Sequence, residues 1–512
     1  MKLNYKRTIL VGFAFFLICA FWQAYDNTIP LLLTNKFGMS QTWSGLIMAL
    51  DNVLALFLLP LFGAISDRYQ GSRGRRTPFI LVGTIIAAAV LVCLSFVDNV
   101  QLHHIREVST IDDPAALTLL YEKEADEKLM TPNGMEFVLR DKFTQEEFTA
   151  IRSESVRDGK TVTNPDYTNY VVPARQAYAW QETMAHPMTL VFFVALLLIL
   201  LVAMAVFRSP AVALMPDVTL KPLRSKANAV INLMGALGGV VVLVLGMVFA
   251  TSSVRHSLMS YTGYFVVVAA IMLVALLVFR FTVHEVEWAE EMQRESVGEE
   301  EPESGEGSRR LTKEERRSLL FILLSIVLWF FGYNAVTSKY SVYASNILHK
   351  DYNLTLIIAQ AAAIVSYLPV GMAASKIGRK KTIMAGVVML TVAFGIAGFL
   401  QDTSPALVMN VMFALAGIGW ATINVNSFPM VVELCSGANV GKFTGIYYTA
   451  SMAAQVLTPI ASGFLMDKLG MRVLFPYAAI FTALAFLTMH FVRHGDSKPE
   501  AKTGLDALED ME

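Results

Sequence analysis

Charge is what this chain has little of. Only 16% of its 512 residues are Asp, Glu, Lys or Arg, against 55% hydrophobic residues. A water-soluble domain carries nearer a quarter charged residues, so the surplus apolar surface has to face lipid. The formal net charge of -1 leaves no overall field of one sign to attract a polyanion, and no nucleic-acid partner is expected. Cysteine is also scarce. Cys19, Cys93 and Cys435 all fall in or beside apolar runs, which excludes a disulfide framework in the polar segments. Equally absent are a Walker-type phosphate loop, His-Glu-x-x-His, Gly-x-Ser-x-Gly and paired-cysteine metal spacing. An enzyme, an ATP-driven device and a resident cofactor or metal are therefore not expected. His103 and His104 are adjacent and cannot share one helix face. They read as solvated residues of a polar loop.

What the chain has is length of apolar run. A bilayer-crossing helix needs roughly 20 mostly apolar residues. Twelve stretches qualify, at 9–33, 43–66, 78–98, 187–214, 227–250 and 261–281, then 318–340, 355–375, 382–400, 405–428, 441–464 and 472–493. The first begins after Lys2, Lys6 and Arg7. It is too long for a signal-peptide core and reads as a retained membrane helix. The expectation is an all-α polytopic membrane protein of twelve transmembrane helices in two pseudo-symmetric six-helix bundles, with the bilayer itself as a partner.

Basic residues set the orientation. They crowd the segment before helix one, the loops after helices two, four (Lys221, Arg224, Lys226) and eight, and the end of helix twelve (Arg493, Lys498). The loops of opposite parity carry few, and the loop holding Glu433 and Lys442 is uninformative. Both termini are thus expected in the cytoplasm, in a cell membrane. The chain divides into helices one to three (1–98), an extracytoplasmic insertion (99–186) and helices four to six (187–281), followed by a charged linker (282–317), the second bundle (318–494) and a tail (495–512). The insertion is expected to form a small helical cap, with 144–155 as an amphipathic helix. The linker, Glu-rich to 306 and basic from Arg309 to Arg317, reads as a solvated or disordered connector.

Charged residues inside apolar spans are expensive unless they share a wet interior. Asp26, Asp51 and Arg208 are such residues. Gln23, Asp26 and Asn27 fall at i, i+3 and i+4, which puts them on one helix face. Their depth suits a cavity open to the outside. In the second half the candidates are neutral: Asn334 and Ser338 with Tyr333, Gln360 and Tyr367, then Trp420, Asn424 and Asn426, then Tyr448, Ser451 and Gln455. Amides, hydroxyls and an aromatic plane suit a solute with many hydroxyls and one apolar ring face. Helix–helix hydrogen bonding uses the same residues. The substrate or proton pathway is accordingly expected to include Gln23, Asp26, Asn27, Asp51, Arg208, Asn334, Gln360, Trp420, Asn424 and Gln455.

Two basic hairpin loops occupy matching places between the second and third helix of each half. The first carries Gly63, Asp67, Arg68, Gly74, Arg75 and Arg76; the second carries Gly371, Gly378 and Arg379. Charged loops at equivalent repeat positions suit a gate that pins helices and releases them as the halves rock. In the second loop, Ser375 stands where an acid would complete the pattern, so weaker pinning is expected there.

The first loop resembles the signature of the major facilitator superfamily. The string Asp67-Arg68 followed by Gly74-Arg75-Arg76-Thr77-Pro78-Phe79-Ile80 is similar to that of its sucrose–proton symporter branch and their animal solute-carrier relatives. Residues 210–217, Ala227-Asn228 and Gly417-Ile418-Gly419-Trp420-Ala421 extend the likeness. Val212 departs from it, where the family has an Arg before Ala-Leu; Arg208 lies one helical turn earlier. The resemblance implies a secondary active transporter, coupled to protons, for a mono- or disaccharide, working by alternating access. An exporter of drugs or amphiphilic metabolites within the same fold, and a non-transporting membrane sensor built on the insertion, are the other readings.

Overall fold

The computed structural model describes residues 3–157, 159–220, 223–296, 311–432, 434 and 440–495. Lys221, Arg309, Glu433, Cys435 and Lys498, together with the side chains of Arg224, Lys226, Ser375 and Lys442, lie outside the described set.

The long apolar runs all become helices, because lipid satisfies no backbone polar group and each segment must pair its own. The first half contributes α1 (Tyr5–Asn35), α2 (Gln41–Arg68), α3 (Thr77–His104), α9 (Pro187–Asp217), α10 (Arg224–Val248) and α11 (Thr262–Thr282). The second contributes α13 (Lys313–Tyr343), α14 (Tyr352–Ile377), α15 (Arg379–Ala397), α16 (Ala406–Val432), α17 (Val440–Leu469) and α18 (Leu474–His490). Among the described residues 11 helices are long and apolar enough to cross a membrane, and α14 has a shorter apolar stretch, Tyr352–Tyr367. Local signals set the ends. Pro78 opens α3, Ser40 caps α2, and Thr312 with Glu315 forms a capping box on α13. Each half has its own apolar core. Leu31 of α1 is an exception, since it packs into the core of the other half.

Between α3 and α9 the insertion folds around a third core. Its elements are α4 (Arg106–Ser109), α5 (Pro114–Glu124), β1 (Lys128–Met130), β2 (Glu136–Val138), α6 (Leu139–Lys142), α7 (Gln145–Ala150), β3 (Glu154–Arg157), β4 (Lys160–Thr163) and α8 (Val172–Ala185). The expectation of a purely helical cap is thus corrected by two antiparallel hairpins. The helix expected over 144–155 stops at Ala150. Ile151 turns extended and Ser155 pairs with Val162, because residues 154–163 are rich in β-branched side chains around the turn residue Gly159 (φ +73°). His103 and His104 are not loop residues either. They end α3, and the His104 ring stacks on His186 with centroids 4.2 Å apart.

The linker is likewise corrected in part. Residues 285–296 form α12 (Glu285–Ser296), in which Glu285 and Trp288 are buried. Hereafter the end of the molecule bearing the insertion is the insertion face, and the end bearing the basic loops is the loop face.

Candidate translocation site

Two small cavities meet on α1. The larger, about 300 Å³, is lined by Gln23, Asp26 and Asn27 of α1, Tyr333 of α13, Gln360 of α14 and Trp420 of α16, among others. The smaller, about 110 Å³, is lined by Asp26 again, with Asp51 and Asn52 of α2, Asn334 and Ser338 of α13 and Gln455 of α17. Asp26 therefore borders both chambers, as does Thr337. The i, i+3, i+4 stripe of α1 faces an interior as its spacing requires, and residues from both halves close the space around it.

The chemistry of the walls is mixed. Tyr333 and Trp420 lie face to face, with centroids 3.7 Å apart and planes 3° from parallel, and Phe330 meets Trp420 edge-on at 5.3 Å. This stack makes one broad apolar wall. Gln23 and Gln360 approach from opposite halves over Gly239 of α10. A Cβ built there would stand 3.0 Å from Gln360 Nε2 and 3.3 Å from Gln23 Oε1. Gln360 Oε1 and Asn334 Nδ2 are buried without a partner, so each is free to bond a solute or water. The Asp51 carboxylate accepts from the main-chain N–H and the side-chain amide of Asn52, both at 2.6 Å.

Arg208 lines neither chamber. Its guanidinium lies 5.5 Å from the Trp22 ring centroid, a cation–π contact, and feels the charges of Asp51 and Asp26 at longer range. Asn424 is exposed and also lines neither cavity. Of the ten expected pathway residues, the structure brings eight to the two cavities and leaves these two aside.

The basic loop of the first half is a tight network. Glu285 accepts from the main-chain N–H groups of Arg75 (2.7 Å), Arg76 (2.8 Å) and Thr77 (2.7 Å) and from the Thr77 hydroxyl (2.7 Å). It thereby caps the N-terminus of α3, where α3 has no local side-chain cap. Gly74 is required for this, since its φ is +99° and a Cβ would fall 2.3 Å from Glu285 Cδ. Asp217 at the end of α9 takes Arg75 at 2.6 Å and Arg76 at 2.7 Å, and Arg76 also pairs with Asp67 and bonds Ser66. Gly63 lets α2 approach Ser209 of α9, and Arg68 is exposed.

In the second loop Gly378 (φ +95°) begins α15, and Arg379 is half-buried. The Lys380 ammonium donates to the carbonyls of His490 (2.9 Å) and Val492 (2.6 Å) at the end of α18. Gly371 lies within α14.

The expected opening toward the insertion side is corrected. Asp467 of α17 accepts from the N–H groups of Gln41 and Thr42, both at 2.8 Å, and so caps α2 from the other half. Lys339 of α13, fully buried, donates to the Gln41 carbonyl at 2.7 Å. Thr251 and Tyr352 hydroxyls meet at 2.7 Å across the halves. Beneath them α2 and α17 touch backbone to backbone. Cβ atoms on Gly45 and Gly463 would fall 2.1 Å from the Pro459 carbonyl oxygen and 2.2 Å from that of Gln41. Toward the loop face, Ser66 is the one buried residue of α2 beyond Ala49. The halves are tied at the insertion face, and toward the loop face α2 is mostly unburied. Sequence reasoning missed Lys339 and Asp467, although a charge at the end of an apolar span was the available signal. It also missed Glu285, whose signal was hidden in a run of acids.

The profile of the Major Facilitator Superfamily matches residues 11–105, 177–366 and 350–509. Two curated relatives, the MFS-type transporters ppzB of Metarhizium majus and Metarhizium rileyi, are 28% identical over 123 residues and 26% identical over 136 residues. These matches take in 24% and 26% of this chain and span 26% and 28% of the relatives' own lengths. Among solved structures, the inward-open xylose transporter XylE of E. coli aligns over 99% of both chains, with a TM-score of 0.58 and 14% identity. A D-xylose-proton symporter aligns over 96% of this chain and 99% of its own, with a TM-score of 0.55 and 16% identity. The nucleoside transporter NupG, in a mutant form, aligns over 95% and 100%, with a TM-score of 0.53 and 12% identity. With the profile matching most of its length and two six-helix bundles closing around one interior, the chain belongs to the Major Facilitator Superfamily and is a multi-pass membrane protein.

Proposed function

We propose that this transporter carries a hydroxyl-rich solute, a mono- or disaccharide, together with protons, by rocking its two bundles around the paired cavities. The observation that carries the reading is the lining of the larger cavity. One wall is the Tyr333–Trp420 stack, the others present the amides of Gln23, Asn27 and Gln360, and the Asp26 carboxylate stands at the junction with the second chamber. A sugar offers a ring face to the stack and hydroxyls to the amides. A carboxylate at the junction changes the charge of both chambers when it takes up a proton, which links solute and ion occupancy. The fold shared with xylose transporters supports the reading. With the basic loops in the cytoplasm and the insertion outside the cell membrane, the present state is inward-facing.

Uptake into proteoliposomes across a sugar panel, with and without a proton ionophore, tests this. One sugar should accumulate against its gradient and lose that accumulation with the ionophore. Asp26→Asn should abolish accumulation and spare exchange of sugar across the membrane. Wild-type accumulation by Asp26→Asn, or accumulation indifferent to the ionophore, would remove proton coupling through this residue.

A further inference from the structure

The insertion belongs to the first half by sequence, between α3 and α9, and its core is continuous with that half through Val254 and Leu258 of the segment joining α10 to α11. It nevertheless grips the second half. The turn Thr131–Gly134 that joins β1 to β2 lies on the junction between α17 and α18. Met471 N–H donates to the Pro132 carbonyl at 2.7 Å, and Arg472 Nε donates to Asn133 Oδ1 at 2.6 Å. Gly134 (φ +82°) and Gly470 (φ +87°) pass each other with no room for side chains; a Cβ at Gly470 would stand 2.4 Å from the Asn133 carbonyl carbon. Some way off, Thr168 Oγ1 and His349 Nε2, in the segment between α13 and α14, lie 3.2 Å apart. The two contacts straddle the seam that Asp467 and Lys339 close from below.

We infer that the insertion is a strap. It is anchored on the first bundle, fastened to the second, and it selects the conformation closed at the insertion face. Bundles that rock must pull the Gly470–Arg472 segment away from Pro132 and Asn133 in every cycle, because the strap's core moves with the first half and α17 and α18 move with the second. The strap contacts exist in the closed state and are lost in the other, and an interaction made in only one of two states shifts the population toward it by its own free energy. The hydrogen bonds named here and the glycine crossing make a fastening that biases the equilibrium without locking it. This inference rests on the rocking of the halves but not on the identity of the solute.

The test uses the full chain in lipid nanodiscs with its three cysteines replaced and a single reporter, Gln41→Cys, at the closed seam, where Gln41 is 5% exposed. The rate of modification by a membrane-impermeant thiol reagent reads the opening of the insertion face. Asn133→Ala and Arg472→Ala should each raise that rate by roughly three- to tenfold, as expected from loss of one hydrogen bond. The double variant should rise no further than the larger single effect, because the two residues share one bond. Melting temperatures should stay close to that of the parent, which separates a shifted equilibrium from a damaged fold. A second arm requires no solute binding to be altered. Asn133→Cys with Arg472→Cys, bridged by a short reducible bifunctional thiol reagent, should stop transport and recover it on reduction. Unchanged labelling in both alanine variants, or full transport by the bridged protein, overturns the strap and leaves the insertion a passive spacer.

Discussion

The two faces of the molecule are tied by the same chemistry in opposite ways. Among the described residues, the basic loops at the loop face show ties within their own half. Arg75 and Arg76 find Asp67, Asp217 and Glu285, all from the first half or the linker helix that follows it, and Lys380 finds carbonyls of α18 in its own half. At the insertion face the buried Lys36–Asp98 pair stays within the first half, and other ties cross. Asp467 caps α2, Lys339 holds the Gln41 carbonyl, and the strap fastens to Gly470–Arg472. The lesson is that intramolecular charge networks report conformational state. Ties within a half survive rocking and keep each bundle rigid, while ties between halves mark the closed end. Within the loop face the repeats differ again. The first loop sets carboxylates against arginines and a helix N-terminus, and the second sets the main-chain carbonyls at a helix end against Lys380, so one duplicated backbone device has been given charged acceptors in one copy and neutral ones in the other.

The largest effect expected from breaking this comparison is at Glu285. Glu285→Ala strands three main-chain donors and a hydroxyl at the start of α3, and should lower stability in detergent by about 2–4 kcal/mol, seen as a lower melting temperature. Lys380→Met, its counterpart in the second loop, removes one flexible donor from a helix C-terminus and should lower it by only about 1 kcal/mol. Equal losses would erase the distinction between the two loops. Asp467→Asn comes next. An amide cannot accept from Gln41 and Thr42 with both of its heavy atoms, so roughly 1 kcal/mol should be lost from the closed face alone. The signature is faster thiol labelling at the seam with little change in melting.

A separate effect is a pH slope in the insertion. Burial, with Glu127 nearby, pushes the Glu124 carboxyl up to about 7. The folded state therefore binds its proton more tightly than the unfolded chain does. The stability it contributes is present below the ordinary glutamate range, falls as pH rises from there to about 7, and is flat above. Glu124→Gln should remove that slope and melt higher than the parent at pH 8, with the difference closing at pH 4.

Much of the fold was legible because lipid imposes it. A helix that crosses a bilayer must be long and apolar, so the twelve runs announce themselves, and the α1 stripe of Gln23, Asp26 and Asn27 follows from helical spacing alone. The repeat loops were legible because glycine and arginine carry their reasons locally. The closure at the insertion face was not. Asp467 meets Gln41 across more than four hundred positions, and no periodicity encodes a contact at that range. Arg208 and Asn424 looked like pathway residues because an isolated polar group in an apolar run has to find something. For Arg208 that partner is the face of Trp22, and Asn424 finds an exposed position. In the insertion, helix propensity over 144–155 lost to a hairpin whose partner strand lies further along the chain.

Gly45 and Gly463 give the crossing of α2 and α17 a mechanical meaning. Naked main chain laid on naked main chain has no knobs to withdraw from holes, so these helices can slide and tilt like two smooth rods at a fulcrum. Each extra methyl at that point is a wedge on the short arm of a lever, and the displacement it causes is magnified at the far end of α2, where the first basic loop rides.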